Sequence, residues 1–486
     1  MLRSIIIKEF FDNLLNLRFS VGLLVSVLLT VASVMFQVQA HSQRTQDYHT
    51  DVRLQEENIE KYGPISPFFN ERPLLKPAAL SLVATGLTAD SYDTFDANFV
   101  PQMFPFIDLV FIVSIILSLL GLLFSYDSIC GEKENGTLKL VCSNSLSRAT
   151  VLFGKLLGGT ASLLIPFLIS ILCAAIYIAL DPGVMWQPVD WAAFGALTVA
   201  SMLFISLFYL LGMMVSALSK SSSVSILTAI LLWVIIVLVI PNLGPYVSTE
   251  LYPIESLKKV EKEYNKYMKG IEEGGEIKKQ MDELYAELDR KYEQEYGDLF
   301  REYIAIPRAD RLERTGMEAP DSDIKEMGLE YRQEYRAIGS KVMEPLRENF
   351  GKIRAELKIE GERQTEVAKN IAAISPFADY IYLSADLAGT GMRSRENIKR
   401  ATSEYYNLAG KFSQEKRAEK NSKRISDWRN IKDNPLDISG RPRFSYEEEP
   451  LPARISVSLP YLGVMLLYGV LFFAIAFVGF IHYDVR

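Results

Sequence analysis

The residues with chemistry to offer are few and widely spaced. Three histidines, His41, His49 and His482, and three cysteines, Cys130, Cys142 and Cys173, are spread over 486 positions. His41 and His49 stand eight residues apart and can share one helix face as metal ligands. A stable site needs further donors, however, and the segment around them offers only scattered carboxylates, so we expect no metal. A phosphate-binding loop needs Gly-x-x-x-x-Gly-Lys-(Ser/Thr), whose backbone amides cradle phosphates. The chain's Gly-Lys pairs, Gly154-Lys155, Gly351-Lys352 and Gly410-Lys411, are followed by Leu, Ile and Phe, and none has a second glycine at the required distance. We therefore expect no catalytic residue and no cofactor bound by this chain. Asp108 is an acid within an apolar stretch, a functional position by default, although Pro105 three residues earlier brings it within reach of interfacial water.

The densest run of polar chemistry is Gly131-Glu132-Lys133-Glu134-Asn135-Gly136-Thr137-Leu138, which alternates charge and then turns at Gly136. A short amphipathic helix here, with Leu138 and Leu140 on one face, can lie on the membrane surface and offer charges to a partner. A solvated loop is the alternative that the residues alone leave open.

Around these residues stand elements of two kinds. Residues 249 to 454 hold 79 of the 111 charged side chains, 41 acidic and 38 basic, so the rest of the chain is strongly apolar. A bilayer core of about 30 Å needs roughly 20 apolar residues in helix. Six stretches qualify: 19–40, 105–126, 151–180, 191–218, 223–247 and 455–482. Val38-Gln39-Ala40 resembles a signal-peptide cleavage site, but the apolar stretch before it exceeds the usual length, and we read it as a retained span. The net charge of -7 excludes a typical nucleic-acid binder.

Orientation follows from Lys and Arg in the short loops. With both termini in the cytoplasm, residues 1–18 and 127–150 lie inside, and 41–104 and 249–454 lie outside. All nine basic residues beyond the two long outer segments then fall on the inner side. The outer segments contain no cysteine, as expected of a bacterial inner-membrane protein whose exterior is not stapled by disulfides. Gly154, Gly158 and Gly159 permit close helix approach, within one subunit or, alternatively, between two.

From 253 onward apolar residues recur at helical spacing. Leu257, Val260, Tyr264, Tyr267 and Ile271 form one series and Ile277, Met281, Leu284 and Leu288 a second, predicting a hairpin around Gly274-Gly275. A third series, Ile324 to Val342, is expected to break at Pro345 and resume at Phe350. Residues 397–428 read as helix and 434–452 as extended chain. The 14 tyrosines of 249–454 suit either a binding groove or a thin helical core whose hydroxyls reach water, and the second is the expectation. The fold class is thus an all-α membrane protein of six spans, with a mainly helical extracytoplasmic domain between spans five and six.

The inner loop also resembles that of type-2 ABC exporter permeases, the class related to the membrane subunit of the nitrous oxide reductase maturation transporter. That class carries a D-x-I-x-G-E-(K/R)-E-x-G-T-L run followed by S-x-x-x-S-R and G-K. Here Asp127, Ile129, Gly131, Glu132, Glu134, Gly136, Thr137, Leu138, Ser143, Ser147, Arg148, Gly154 and Lys155 match it. The terminus Phe480-Ile481-His482-Tyr483-Asp484-Val485-Arg486 is similar to F-x-R-Y-D-V-R, with His482 in place of the usual Arg, and Ser375-Pro376 through Ala388-Gly389-Thr390 is similar to an outer segment of one branch. The resemblance implies that Glu132, Lys133, Glu134, Gly136, Thr137 and Leu138 belong to a coupling helix that docks on a separate cytoplasmic ABC ATPase. Two ATPase copies would hold ATP and Mg. It further implies an amphipathic elbow helix within 1–18, a second permease copy or paralogue, and export of an amphipathic lipid, peptide or drug-like molecule. An extracytoplasmic protein partner for 249–454 is a further expectation. The competing reading is a membrane-anchored interaction or signalling protein whose outer domain binds a partner.

Overall fold

The computed structural model describes residues 2–63, 72–86, 107–138, 147–254, 256–272, 275–305, 322–422 and 436–482. The sequence begins with a 13-residue helix, α1 (Leu2–Leu14). Asn16 then caps α2 (Leu17–Tyr62) by accepting from the Arg18 amide. At 1.5 Å per residue α2 is roughly 69 Å long, twice what a bilayer core needs. The first helix therefore does not end at Ala40, where hydrophobicity ends. The Gln, Arg, Glu and Lys residues that follow are good helix formers, so polarity changes the solvent and leaves the helix intact.

Among the described residues five more helices are long and apolar enough to cross a membrane. The next, α3 (109–125), is made of Leu109–Phe111, a π-helical stretch Ile112–Leu117 and Ser118–Ser125. It leads into the short α4 (Cys130–Glu134). Then come α5 (Arg148–Leu180), α6 (Pro188–Leu218) and α7 (Ser222–Leu251), the last with a π-helical stretch at Val234–Val239. Trp233, at the start of that stretch, donates through Nε1 to Ser118 Oγ at 2.9 Å, tying the two irregular helices together. Of these helices α6 is central: Phe204, Phe208, Tyr209 and Met213 are almost fully enclosed, as expected of a helix that is hydrophobic on all sides.

Among its described residues the charged region is mainly helical up to Ser422, with short breaks between the helices. It comprises α8 (Ser256–Glu272), α9 (Glu276–Tyr296), α10 (Asp298–Ala305), α11 (Ser322–Ala372), α12 (Pro376–Ala388) and α13 (Met392–Ser422). Residues 436–450 are irregular, and α14 (Leu451–Ile481) completes the six long apolar helices. The expected break at Pro345 does not occur, because α11 runs through it. Proline removes one backbone hydrogen bond, and here Lys341, whose carbonyl is freed, and Glu344, Pro345 and Arg347 are exposed, so that carbonyl is left near water. The tyrosines do form a core: Leu288, Tyr292, Phe300, Tyr303, Met327 and Tyr331 are buried together. Tyr285 and Tyr335 stack at 3.9 Å beside them. Burial and the neighbouring Glu334 carboxylate push the Tyr292 hydroxyl above its ordinary pKa, so it remains a donor to that carboxylate at 3.2 Å.

One part of 249–454 does not stay with this charged layer. Along α7, Gln364 Nε2 donates to the Tyr252 carbonyl at 2.9 Å, Gly244 lies against the Ala368 carbonyl, and Ser375 Oγ donates to the Ile236 carbonyl at 2.5 Å. The end of α11 thus runs down beside α7 to its middle, about 20 Å from either end of that helix. There Ser375 caps α12, Pro376 occupies its first turn, and α12 climbs back along α6 and α14. Tyr380 stacks on Phe204 at 4.3 Å and shares a 2.8 Å hydrogen bond with Ser201. Tyr380, Leu383, Leu387 and Ala388 belong to the same buried core as the spans. At 13 residues α12 is too short to cross a bilayer, which is why hydropathy alone did not separate it from the outer domain.

Candidate functional site

The described part of the sequence-predicted inner loop follows α3 and bonds to α1, α5, α6 and α7. Its helix α4 is five residues long because Asn135-Gly136 stops it, Gly136 taking a left-handed φ of +72° that only glycine adopts without cost. At the other end the amides of Ile129 and Cys130 both donate to Ser216 Oγ of α6 at 3.0 Å.

The alternating charges of α4 match the helix ends around them. Lys133 Nζ donates to the Ala217 carbonyl at 2.6 Å, at the C-terminus of α6, where unpaired carbonyls attract a cation. Glu134 accepts from the Ser222 amide at 3.2 Å and its hydroxyl at 2.5 Å. That is the N-terminus of α7, where exposed amides favour an anion. Two adjacent residues of opposite sign thereby hold both sides of the α6–α7 turn.

Glu132 points the other way. Its Oε1 lies 2.9 Å from Lys155 Nζ of α5 and 3.3 Å from Lys8 Nζ of α1, and its side chain is only 17% exposed. Lys155, 3% exposed, also lies 2.7 Å from Glu9 Oε1 of α1. One buried ammonium therefore joins three elements: α1, α4 and α5. Small residues permit this approach. A Cβ on Gly158 would meet the Ile6 carbonyl oxygen at 2.7 Å and Glu9 Cβ at 2.8 Å, one on Gly154 would meet Ile5 at 2.6 Å, and one on Gly159 would overlap the Tyr209 hydroxyl. The glycine triplet thus serves packing within this chain.

The remaining cations complete the frame. Arg18 binds Asp127 Oδ2 at 2.9 Å and the Tyr126 hydroxyl at 3.0 Å, and its guanidinium sits 5.0 Å from the Tyr126 ring centre. Arg148 donates to the carbonyls of Phe480 and Ile481, at the end of α14. Thr137 Oγ1 donates to the Glu132 carbonyl at 3.4 Å, and Leu138 is buried. Glu134, Asn135, Gly136 and Thr137 form the exposed tip. Leu140 and Ser143, which sequence analysis placed with this loop, lie outside the described residues.

Other sequence candidates fall elsewhere. Asp108 is buried and meets amides instead of water: it caps α3 by accepting from Phe111 N at 2.7 Å, and it accepts from Thr85 N at 2.9 Å. His41 is buried with Nδ1 3.3 Å from Ser81 Oγ, and His49 lies beside Tyr48. Among the described residues no group of three metal-binding side chains forms. Sequence reasoning did not single out Glu9, Arg18, Ser216 or Ser222, and it noted Lys155 as part of a Gly-Lys pair matching the permease-like run without naming a partner for its charge. The signal for one pair was present: Glu9 is an acid beside the apolar face of α1, and Lys155 is a base in an apolar run.

A model of the family described as ABC-2 family transporter protein matches residues 3–485. The chain belongs to this ABC-2 transporter family. Within the family, it is similar to Probable ABC transporter permease protein NosY of Stutzerimonas stutzeri, at 36% identity over 133 residues, covering 26% of this chain and 46% of that protein. It is similar to the protein of the same description from Pseudomonas aeruginosa, at 34% identity over 128 residues with the same coverage. The matched stretch spans about half the length of these relatives. The ABC-2 assignment and the six long apolar helices make this a multi-pass membrane protein, a permease-type membrane subunit of an ABC transporter.

Proposed function

We propose that the chain is the permease of an ATP-driven exporter of the bacterial inner membrane, with both termini in the cytoplasm and 249–454 largely outside. A separate ATPase, present in two copies, binds and hydrolyses ATP with Mg, and a second permease copy or paralogue completes the path. The substrate class is amphipathic: a lipid, peptide or drug-like molecule. The arrangement of the basic loops, the even number of spans and the family membership support this reading.

The observation that carries it is the inner loop. Its exposed tip, Glu134 to Thr137, is available to a cytoplasmic partner, while the segment from Ile129 to Glu134 is bonded to four helices at once. A push on the tip reaches α6 through Ser216 and Lys133, α7 through Glu134 and Ser222, and α1 and α5 through Glu132 and Lys155. ATP hydrolysis supplies the work, and this chain's own part is to transmit displacement. The rival reading, an anchored binding protein, cannot use Tyr292, Tyr303 and Tyr331 as an aromatic binding face, because they are buried in the core of the outer layer.

The test uses two residues of the exposed tip, which bear on docking and leave the bonds to the four helices in place, although Thr137→Arg also removes the local 3.4 Å bond to the Glu132 carbonyl. Asn135→Arg and Thr137→Arg are expected to reduce co-purification of the ATPase encoded with this chain and its substrate-stimulated ATP turnover by about tenfold. That is the cost of roughly 1.4 kcal/mol at a docked surface. Full recovery of the ATPase and unchanged turnover in both variants would remove this loop from the coupling role.

A further inference from the structure

Beside the inner loop, on the side away from Lys155, lies a half-open cavity of about 760 Å³ between the ends of α6 and α14. Its apolar wall is formed by Leu218 of α6 and by Ala474, Ile475 and Val478 of α14. Gly479 lets the two helices close the floor, since a Cβ there would meet Leu218 Cδ2 at 2.9 Å. Its polar rim carries Lys133, Lys220 and His482 against one acid, Glu134. Glu134 is held by Ser222 and Lys133 by the Ala217 carbonyl. Lys220 is exposed and forms no ion pair among the described residues, and His482 engages only Nδ1, with the Val478 carbonyl at 2.8 Å.

We infer that this cavity binds a phospholipid with an anionic headgroup, its phosphate at Lys220 and His482 and the start of an acyl chain along Ile475 and Val478. Three features select that occupant. The cavity sits at the ends of membrane-spanning helices, at headgroup depth, where basic pockets between helices hold anionic lipids. From Ala474 to His482 its wall extends about 12 Å along α14, enough for a glycerol unit and the first chain carbons. A soluble anion would leave this apolar wall facing water. Because α4 supplies Lys133 and Glu134 to the rim, an occupied site places lipid against the loop that Proposed function assigns to coupling. Binding itself depends only on the membrane placement of α6 and α14, so its failure leaves the permease reading untouched.

The full chain, purified in detergent, is titrated with dioctanoyl phosphatidylglycerol and adducts are counted by native mass spectrometry. Each lost charge near a membrane surface is worth about a fivefold change, so Lys220→Gln is expected to weaken binding about fivefold and Lys220→Gln with His482→Gln more. Ile475→Asp is expected to weaken it without changing the rim. Dioctanoyl phosphatidylcholine and glycerol 3-phosphate are expected to bind at least fivefold more weakly than the anionic lipid. Both rim residues are exposed, and unchanged unfolding midpoints confirm that the variants are folded. Equal retention by wild type and the double variant overturns the site. Equal binding of phosphatidylcholine overturns the charge argument, and equal binding of glycerol 3-phosphate shows a soluble-anion site instead.

Discussion

Replacing Lys155 with Met leaves Glu9 and Glu132 facing each other with only the half-exposed Lys8 ammonium, 4.0 Å from Glu9 and 3.3 Å from Glu132, as a shared cation. The ammonium lies 2.7 Å from one carboxylate and 2.9 Å from the other, and the three side chains are 3%, 12% and 17% exposed. At an effective dielectric near 20, each contact attracts by roughly 6 kcal/mol. The two carboxylate oxygens can be no more than about 5.6 Å apart, so they repel by at least about 3 kcal/mol. Dehydration of three ions, several kcal/mol each, offsets most of the gross gain. Removing the central cation is a different matter, because the repulsion and much of the dehydration remain while the buried attraction is gone, and the half-exposed Lys8 ammonium, screened by solvent, replaces little of it. Lys155→Met is expected to destabilise the protein by about 3–5 kcal/mol. The assay is reversible unfolding in mixed detergent micelles, followed by fluorescence of the four tryptophans. A triple variant, Glu9→Gln, Lys155→Met and Glu132→Gln, removes all three charges and is expected to recover most of the loss. The reasoning is refuted if Lys155→Met unfolds within about 0.5 kcal/mol of wild type, or if the triple variant is no more stable than the single one.

Other consequences follow from individual contacts. Gly158→Leu drives a side chain into Ile6 and Glu9; α1 is expected to detach from α5, read as faster proteolysis at Lys8 in detergent, with a stability cost of about 1–3 kcal/mol. In the outer core, Tyr331→Phe deletes a 2.6 Å hydrogen bond to Asp289 at a cost of about 1 kcal/mol. Tyr331→Ala also opens a cavity and should cost about 3–5 kcal/mol, both by thermal unfolding. Gly389 ends α12 at φ +72° with the Arg454 guanidinium 3.1 Å from a Cβ position. Gly389→Ala is expected to cost about 1–2 kcal/mol in the same measurement.

Several features of the loop and of the re-entrant turn were legible as residue patterns before their reasons were. Gly136 reads as a turn and has positive φ because an exposed loop must reverse there. Ser375-Pro376 and Ala388-Gly389-Thr390 read as a motif, and their roles are local: an N-cap, a first-turn proline, a left-handed C-cap, and a hydroxyl that donates to the Ala84 carbonyl at 3.0 Å. Glu132 shows the opposite case. Its position between Gly131 and Lys133 suggested a charge shown to a partner, yet it turns inward because Lys155, on another helix, offers a stronger dehydrated partnership.

By itself the sequence determined the six apolar helices, the helical character of the charged region and the alternating loop that closes on Gly136. Those depend on length, periodicity and backbone conformation, which are local or summed along the chain. Only the tertiary structure decided that α11 and α12 dip into the bundle, that Asp108 is a buried cap, and that Glu9, Glu132 and Lys155 meet. A lone charge in an apolar stretch must find a counter-charge or a ring of amides, but which one depends on segments brought together from positions as far as 146 residues apart, as Glu9 and Lys155 are.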